Sequence, residues 1–150
     1  MLLAAALLAV ATTASPPVRY ATDPYRTGQV WEYRTRPKDQ GSLLKIQKID
    51  PVGPNGRPGP VYHVSVIGLH LANPRVPAVL AHAPLTKAAL DASVTRLSPL
   101  RPVFPDAVPG IVQWQQGRAG VYAMPIARIV EMLDQTTRNM RQDAPSAPIR

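Results

Sequence analysis

Five cations, Arg34, Arg36, Lys38, Lys45 and Lys48, fall within fifteen residues and are opposed only by Glu32 and Asp39. Side chains of this kind hold phosphate or carboxylate oxygens, Arg through a planar fork of donors and Lys as a point charge. Alternation along 30–36 sends Arg34 and Arg36 to the face away from Trp31 and Tyr33. Lys45 projects the same way from the next expected strand, and His63 joins them from a third. Arg34, Arg36, Lys45 and His63 are therefore the anion-binding candidates. The plainer reading of the same residues is the solvated face of a half-buried sheet, because exposed charge needs no further cause. Nucleic acid fits poorly. A stacking reader interleaves exposed aromatics with its cations, and here Trp31 and Tyr33 alternate away from Arg34 and Arg36.

The remaining polar residues are sparser. His63 and His70 are seven apart, so on a regular strand they face opposite sides and share no metal unless the register breaks at Gly68. His82 sits in a proline-flanked segment. No H-x-x-x-H or H-E-x-x-H spacing and no carboxylate cluster completes a site, so neither metal nor any other cofactor is expected. A histidine could act as general base, but no nucleophile accompanies one in a recognisable pattern. Gly53, Gly56 and Gly59 lie in a proline-rich loop, and no Lys-Ser or Lys-Thr pair follows, so this is no phosphate loop. There is no G-x-S-x-G elbow. Ser65 and Ser93 fall within an expected strand and helix, and Asp91, Glu131 and Asp134 on expected helices, where structure and solvation are the default roles. Trp114, between Gly110 and Gly117, is the candidate anchor for a partner, against the simpler role of filling a core. The chain has no cysteine, which removes disulfides, thiol catalysis, thiolate zinc sites and iron–sulfur clusters.

The elements that must position these residues follow from periodicity. Residues 30–36 alternate as a half-buried strand, 37–41 make a turn, and 42–50 return as a second strand with Leu44 and Ile46 on one face. Residues 61–71 are rich in β-branched side chains and apolar on both faces, as in a central strand. Gly68 marks a bend in it. Thr86 is a suitable N-cap for a helix over 87–97, with Leu85 stapled onto Leu90. After a proline-rich connection over 99–110 come a single helical turn at 111–116 and a short strand at 120–124. A second long helix opens at Pro125 and carries the stripe Ile126, Ile129, Val130 and Leu133 to about Met140. The expected fold is α+β: a small antiparallel sheet, a three-strand meander plus one strand, packed on two amphipathic helices.

Residues 1–14 are uncharged and almost wholly Leu, Ala and Val. This is the pattern of a cleaved signal peptide, with Ala9-Val10-Ala11 or Thr12-Thr13-Ala14 before the cleavage point, although no Lys or Arg precedes the apolar run. The run is too short for a membrane-spanning helix, and no transmembrane helix is expected after cleavage. Residues 15–28 read as an irregular lead-in, 29–141 as a single domain and 142–150 as a disordered tail. The formal net charge is +8, and thirteen of the seventeen cations are Arg. Such a chain adsorbs readily to anionic surfaces. The blocks GQVWEYRTRP and VYHVSVIGLHL resemble segments of uncharacterised small exported proteins of Gram-negative bacteria. That resemblance implies a bacterial source and a recurring domain, and carries over no activity and no functional residue. Together these features point to a periplasmic or secreted, non-enzymatic binding or interaction module. Its partner would be a protein or an anionic envelope component. The alternative is a small periplasmic hydrolase with a site near His63 or His82.

Overall fold

The computed structural model describes residues 23–53, 56–117 and 119–142. The expected leader, the lead-in as far as residue 22 and the tail from 143 lie outside the described residues. Strands β1 (Val30–Tyr33), β2 (Leu43–Asp50), β3 (Val61–Ile67) and β4 (Val79–Thr86) run as an antiparallel meander. Strand β5 (Val94–Leu97) returns to the far side of β1, which gives the order β4-β3-β2-β1-β5. Among the described residues three α-helices accompany the sheet: α1 (Lys87–Ser93), α2 (Val108–Gly117) and α3 (Ile126–Gln142). The α+β class is as expected, with one more strand and one more helix than the sequence suggested. No helix among the described residues is long and apolar enough to cross a membrane.

The hydrophobic pattern places the core. Leu44, Ile46, Tyr62, Val64, Val66, Ala83 and Leu85 project from one face of the sheet and are closed over by Leu90 of α1 and Ile126, Ile129 and Val130 of α3. The stripe read along 126–133 is thus the buried face of α3, with Leu133 partly buried at its margin. Thr86 caps α1 as expected, accepting from the Ala89 amide at 3.2 Å. The Ser93 hydroxyl accepts from Ile126 N and donates to Ala89 O, so it ties the end of one core helix to the start of the other.

Four features depart from the sequence reading, each for a local reason. Helix α1 stops at Ser93, and Val94 turns extended at φ −73°, ψ 151°. Val94 and Thr95 are β-branched, and they join β1 instead of prolonging the helix. The proline-flanked segment around His82, for which no strand was expected, lies in β4; Pro84 is tolerated because β4 is an edge strand. Residues 120–124 form no strand, only a parallel bridge between Tyr122 and Leu85. Finally, α2 is a full helix, and its buried residues Ile111 and Trp114 pack outside the main core. It covers the sheet face opposite α1 and α3.

Candidate functional site

That second face carries the polar residues. On β3, Tyr62, Val64 and Val66 point into the main core, so alternation sends Val61, His63 and Ser65 to the α2 side. All three are buried. The Ser65 hydroxyl donates to Ala81 O at 2.6 Å and accepts from Gln47 Nε2 at 3.1 Å, so it is fully engaged in holding β2 and β4.

His63 is the centre of a hydrogen-bonded chain. Its Nε2 lies 3.0 Å from Asp50 Oδ2, and its Nδ1 lies 2.9 Å from His82 Nε2. Lys48 holds the other Asp50 oxygen at 2.6 Å. The two imidazole planes differ by 17° with centroids 5.1 Å apart, the arrangement of rings joined edge to edge rather than stacked. An ionised Asp50 can only accept, so the His63 proton sits on Nε2. The His63 Nδ1 lone pair then accepts from His82 Nε2–H, and His82 is left with its own lone pair on Nδ1.

The electrostatics agree with that proton order. Burial works against the Asp50 carboxylate, but hydrogen bonds from Lys48 and His63 outweigh it and keep the group below the usual carboxylate range. Burial pushes His63 down, and Asp50 only partly restores it. His82 is pushed down to about 4, by burial first and then by repulsion from His63. Both rings are neutral at pH 7.

Helix α2 seals this chain. The Trp114 ring meets His63 edge-on, 4.8 Å between centroids and 75° between planes. Its Nε1 donates to Gly120 O at 3.0 Å, which fixes the ring against the connection to α3. Gly110 lets the helix approach so closely: a Cβ there would stand 2.6 Å from His82 Cβ.

Beside His82 opens a cleft of about 800 Å³. Leu80 and His82 of β4, Gly110 and Trp114 of α2, Tyr122 of the connection that follows α2, and Leu133 of α3 are among its walls. Its surface is mainly apolar, and His82 is the one imidazole or charged side chain among the described lining residues. Apolar walls with few convergent polar groups are the usual make-up of a ligand site. Among the described residues, no group of three His, Asp or Glu side chains could hold a metal ion.

The four anion-binding candidates are not gathered into one patch. Arg36 is buried and turned toward α3, where it pairs with Asp39 at 2.6 Å, Asp134 at 2.9 Å and Glu131 at 3.1 Å. Its donors are consumed by carboxylates of its own chain. Arg34 is exposed and donates to Ala92 O at 3.0 Å, at the end of α1. Lys45 lies on the other face of the sheet, its Nζ 5.8 Å from the centre of the Phe104 ring. His63 is fully buried under Trp114. His70 is exposed, and its backbone amide donates to Asp39. Trp114, the candidate partner anchor, is 8% exposed and forms a wall of the cleft. Sequence reasoning missed the pairing of His63 with His82, because it requires 79–86 to be a strand beside β3. Register then brings His63 opposite Pro84. The chain matches no family model, no curated protein and no solved structure.

Proposed function

We propose that this chain is an exported, non-enzymatic binding module of a bacterial envelope, periplasmic or secreted, and that the cleft beside β4 is its binding site. The observation that carries this reading is the cleft itself. It is apolar and open, and its one imidazole has a proton order set from behind by Asp50 and His63. A lone pair on His82 Nδ1 suits a ligand that brings an O–H or N–H donor on a largely uncharged body. The net charge of +8 draws the domain to anionic envelope surfaces. Arg34 and Lys45 assist in this general attraction without forming the site.

A hydrolase is the second reading, and the Asp50–His63–His82 chain favours it, since a histidine backed by a carboxylate is a common general base. Among the described residues that line the cleft, none is a serine, a threonine or a carboxylate. The nearest serine along β3, Ser65, is buried and bonded to Gln47 and Ala81.

One experiment separates the readings. Protein labelled uniformly with nitrogen-15 and carbon-13 is titrated with fractionated envelope extract and followed by two-dimensional NMR, and the bound material is then analysed by mass spectrometry. Binding in the cleft moves the His82, Trp114 and Tyr122 signals and returns the ligand unchanged. A chemically altered ligand establishes the hydrolase instead. Shifts confined to Arg34 and Lys45 that vanish with salt would move binding to the basic hairpin and end the cleft reading.

A further inference from the structure

The cleft lies along the free edge of a sheet, and that limits what fills it. Strand β4 is the last in the sheet order, with β3 on one side only. Its outer edge is partly occupied by the chain itself. Tyr122 N donates to Pro84 O at 2.9 Å and Thr86 N donates to Tyr122 O at 3.0 Å, a parallel bridge one residue long. Residues 79–82, on the same edge, face the cleft, and no strand among the described residues continues the pairing there. Gly117, Ala119, Gly120 and Val121 line the cleft instead of filling it.

The walls are arranged on both sides of that edge. Leu80 and Leu133 belong to the margin of the main core. Gln113, Trp114 and His82 stand on the opposite side, where α2 covers the sheet. An extended chain laid in the groove would therefore have both faces contacted, its alternate side chains falling on Leu80 and Leu133 or on Gln113, Trp114 and His82. A small compact ligand would use the pockets but leave the backbone donors and acceptors of the edge without partners.

We infer that the ligand is an extended polypeptide segment that adds to β4 as a sixth strand, apolar at alternate positions and carrying a hydroxyl or amide donor toward His82. The inference rests on the cleft being the binding site and adds the class of ligand. Main-chain hydrogen bonds supply the affinity in strand addition, and pockets for alternate side chains supply the selectivity. Tyr122 already does at Pro84 and Thr86 what the ligand would do further along the edge.

The test uses a random heptapeptide display library against the full chain. Peptides selected for binding are synthesised, then N-methylated at each backbone nitrogen in turn. Strand addition predicts that methylation at alternate positions weakens binding by about tenfold or more and leaves the intervening positions nearly unaffected, because only every second amide faces β4. Cross-strand contacts to residues 79–82 should appear in NMR spectra of the complex. Methylation that has no alternating effect, or contacts that avoid β4, would overturn the proposal. So would a library that yields no binder while envelope extract still shifts His82 and Trp114; that result would keep the cleft as a binding site and remove the peptide. If neither peptides nor extract touch the cleft, the binding-site reading fails with it.

Discussion

At the residue scale, the site depends on a missing side chain. Gly110 stands inside α2, where alanine is ordinarily better than glycine by about 1 kcal/mol. Here a Cβ would stand 2.6 Å from His82 Cβ and 3.0 Å from Cγ. Those atoms are the root of the ring, so the clash is not relieved by rotating a flexible tip. Helix and strand would have to part, and overpacking of this kind costs about 1–3 kcal/mol. Gly110→Ala should therefore destabilise the domain, lengthen the His63–His82 bond and alter the His82 ring signals. Gly117→Ala is the control, because nothing lies within 4 Å of a Cβ at that position. It should leave both stability and the histidine spectrum close to wild type. Urea melts and histidine-selective NMR of the two variants make the comparison. Equal stability for both would mean that α2 does not press on His82.

At the element scale, the β1–β2 turn is locked to α3 by ions. Asp134 is fully buried on α3, and its carboxylate accepts from Arg36, Lys38, Arg138 and the Ala72 amide. Burial opposes ionisation, but Lys38, the Ala72 amide and Arg36 together hold its pKa far below the ordinary carboxylate value. Asp134→Ala leaves buried Arg36 short of a partner and should cost about 3–5 kcal/mol in urea denaturation. Arg36→Met takes the cation from two buried carboxylates, Asp39 and Asp134, and should cost as much or more; an Arg36→Met protein as stable as wild type would refute the argument. This lock also explains what the sequence could and could not reveal. Alternation identified β2 and β3, and the i, i+3, i+4 stripe identified α3, because a repeating period reports which face is buried. Arg36 obeys no such period. It lies beyond the end of the strand at Tyr33, so the face assigned to it by alternation does not apply, and two of its three carboxylate partners lie 95 and 98 residues away. His82 was hidden for a related reason: Pro77 and Pro84 read as loop, whereas an edge strand tolerates proline. Pairings set by tertiary register leave no mark in the spacing of a single chain.

At the scale of the whole molecule, stability should follow pH along two separate limbs. His82 titrates near 4 when folded and at 6.5 in the ordinary case, and burial shifts His63 in the same direction. Between these values the unfolded chain takes up protons that the folded chain refuses, so stability falls as pH drops from 6.5 toward 4. The depressed carboxylates Asp50, Asp91 and Asp134 act lower. Their contribution is present above 3.8 and is lost as pH falls further. At the other end, burial raises Tyr33 from 10.0 to about 12 and raises Tyr25 and Tyr62 as well. Tyrosines kept protonated in the fold contribute stability below pH 10 that declines above it. The melting temperature should thus be nearly flat between about pH 7 and 9 and fall on both sides. His82→Gln removes one titrating ring and should flatten the limb between 6.5 and 4 while leaving the limb below 3.8 unchanged. If the acid limb began only below 4, or kept its slope in His82→Gln, the neutral histidine pair would not be what acid disrupts. Because the folded ring stays neutral across that interval, a ligand that donates to His82 Nδ1 should keep its affinity down to about pH 4 and lose it below, where the ring itself takes up a proton, so occupancy of the site fails at the foot of the same acid limb.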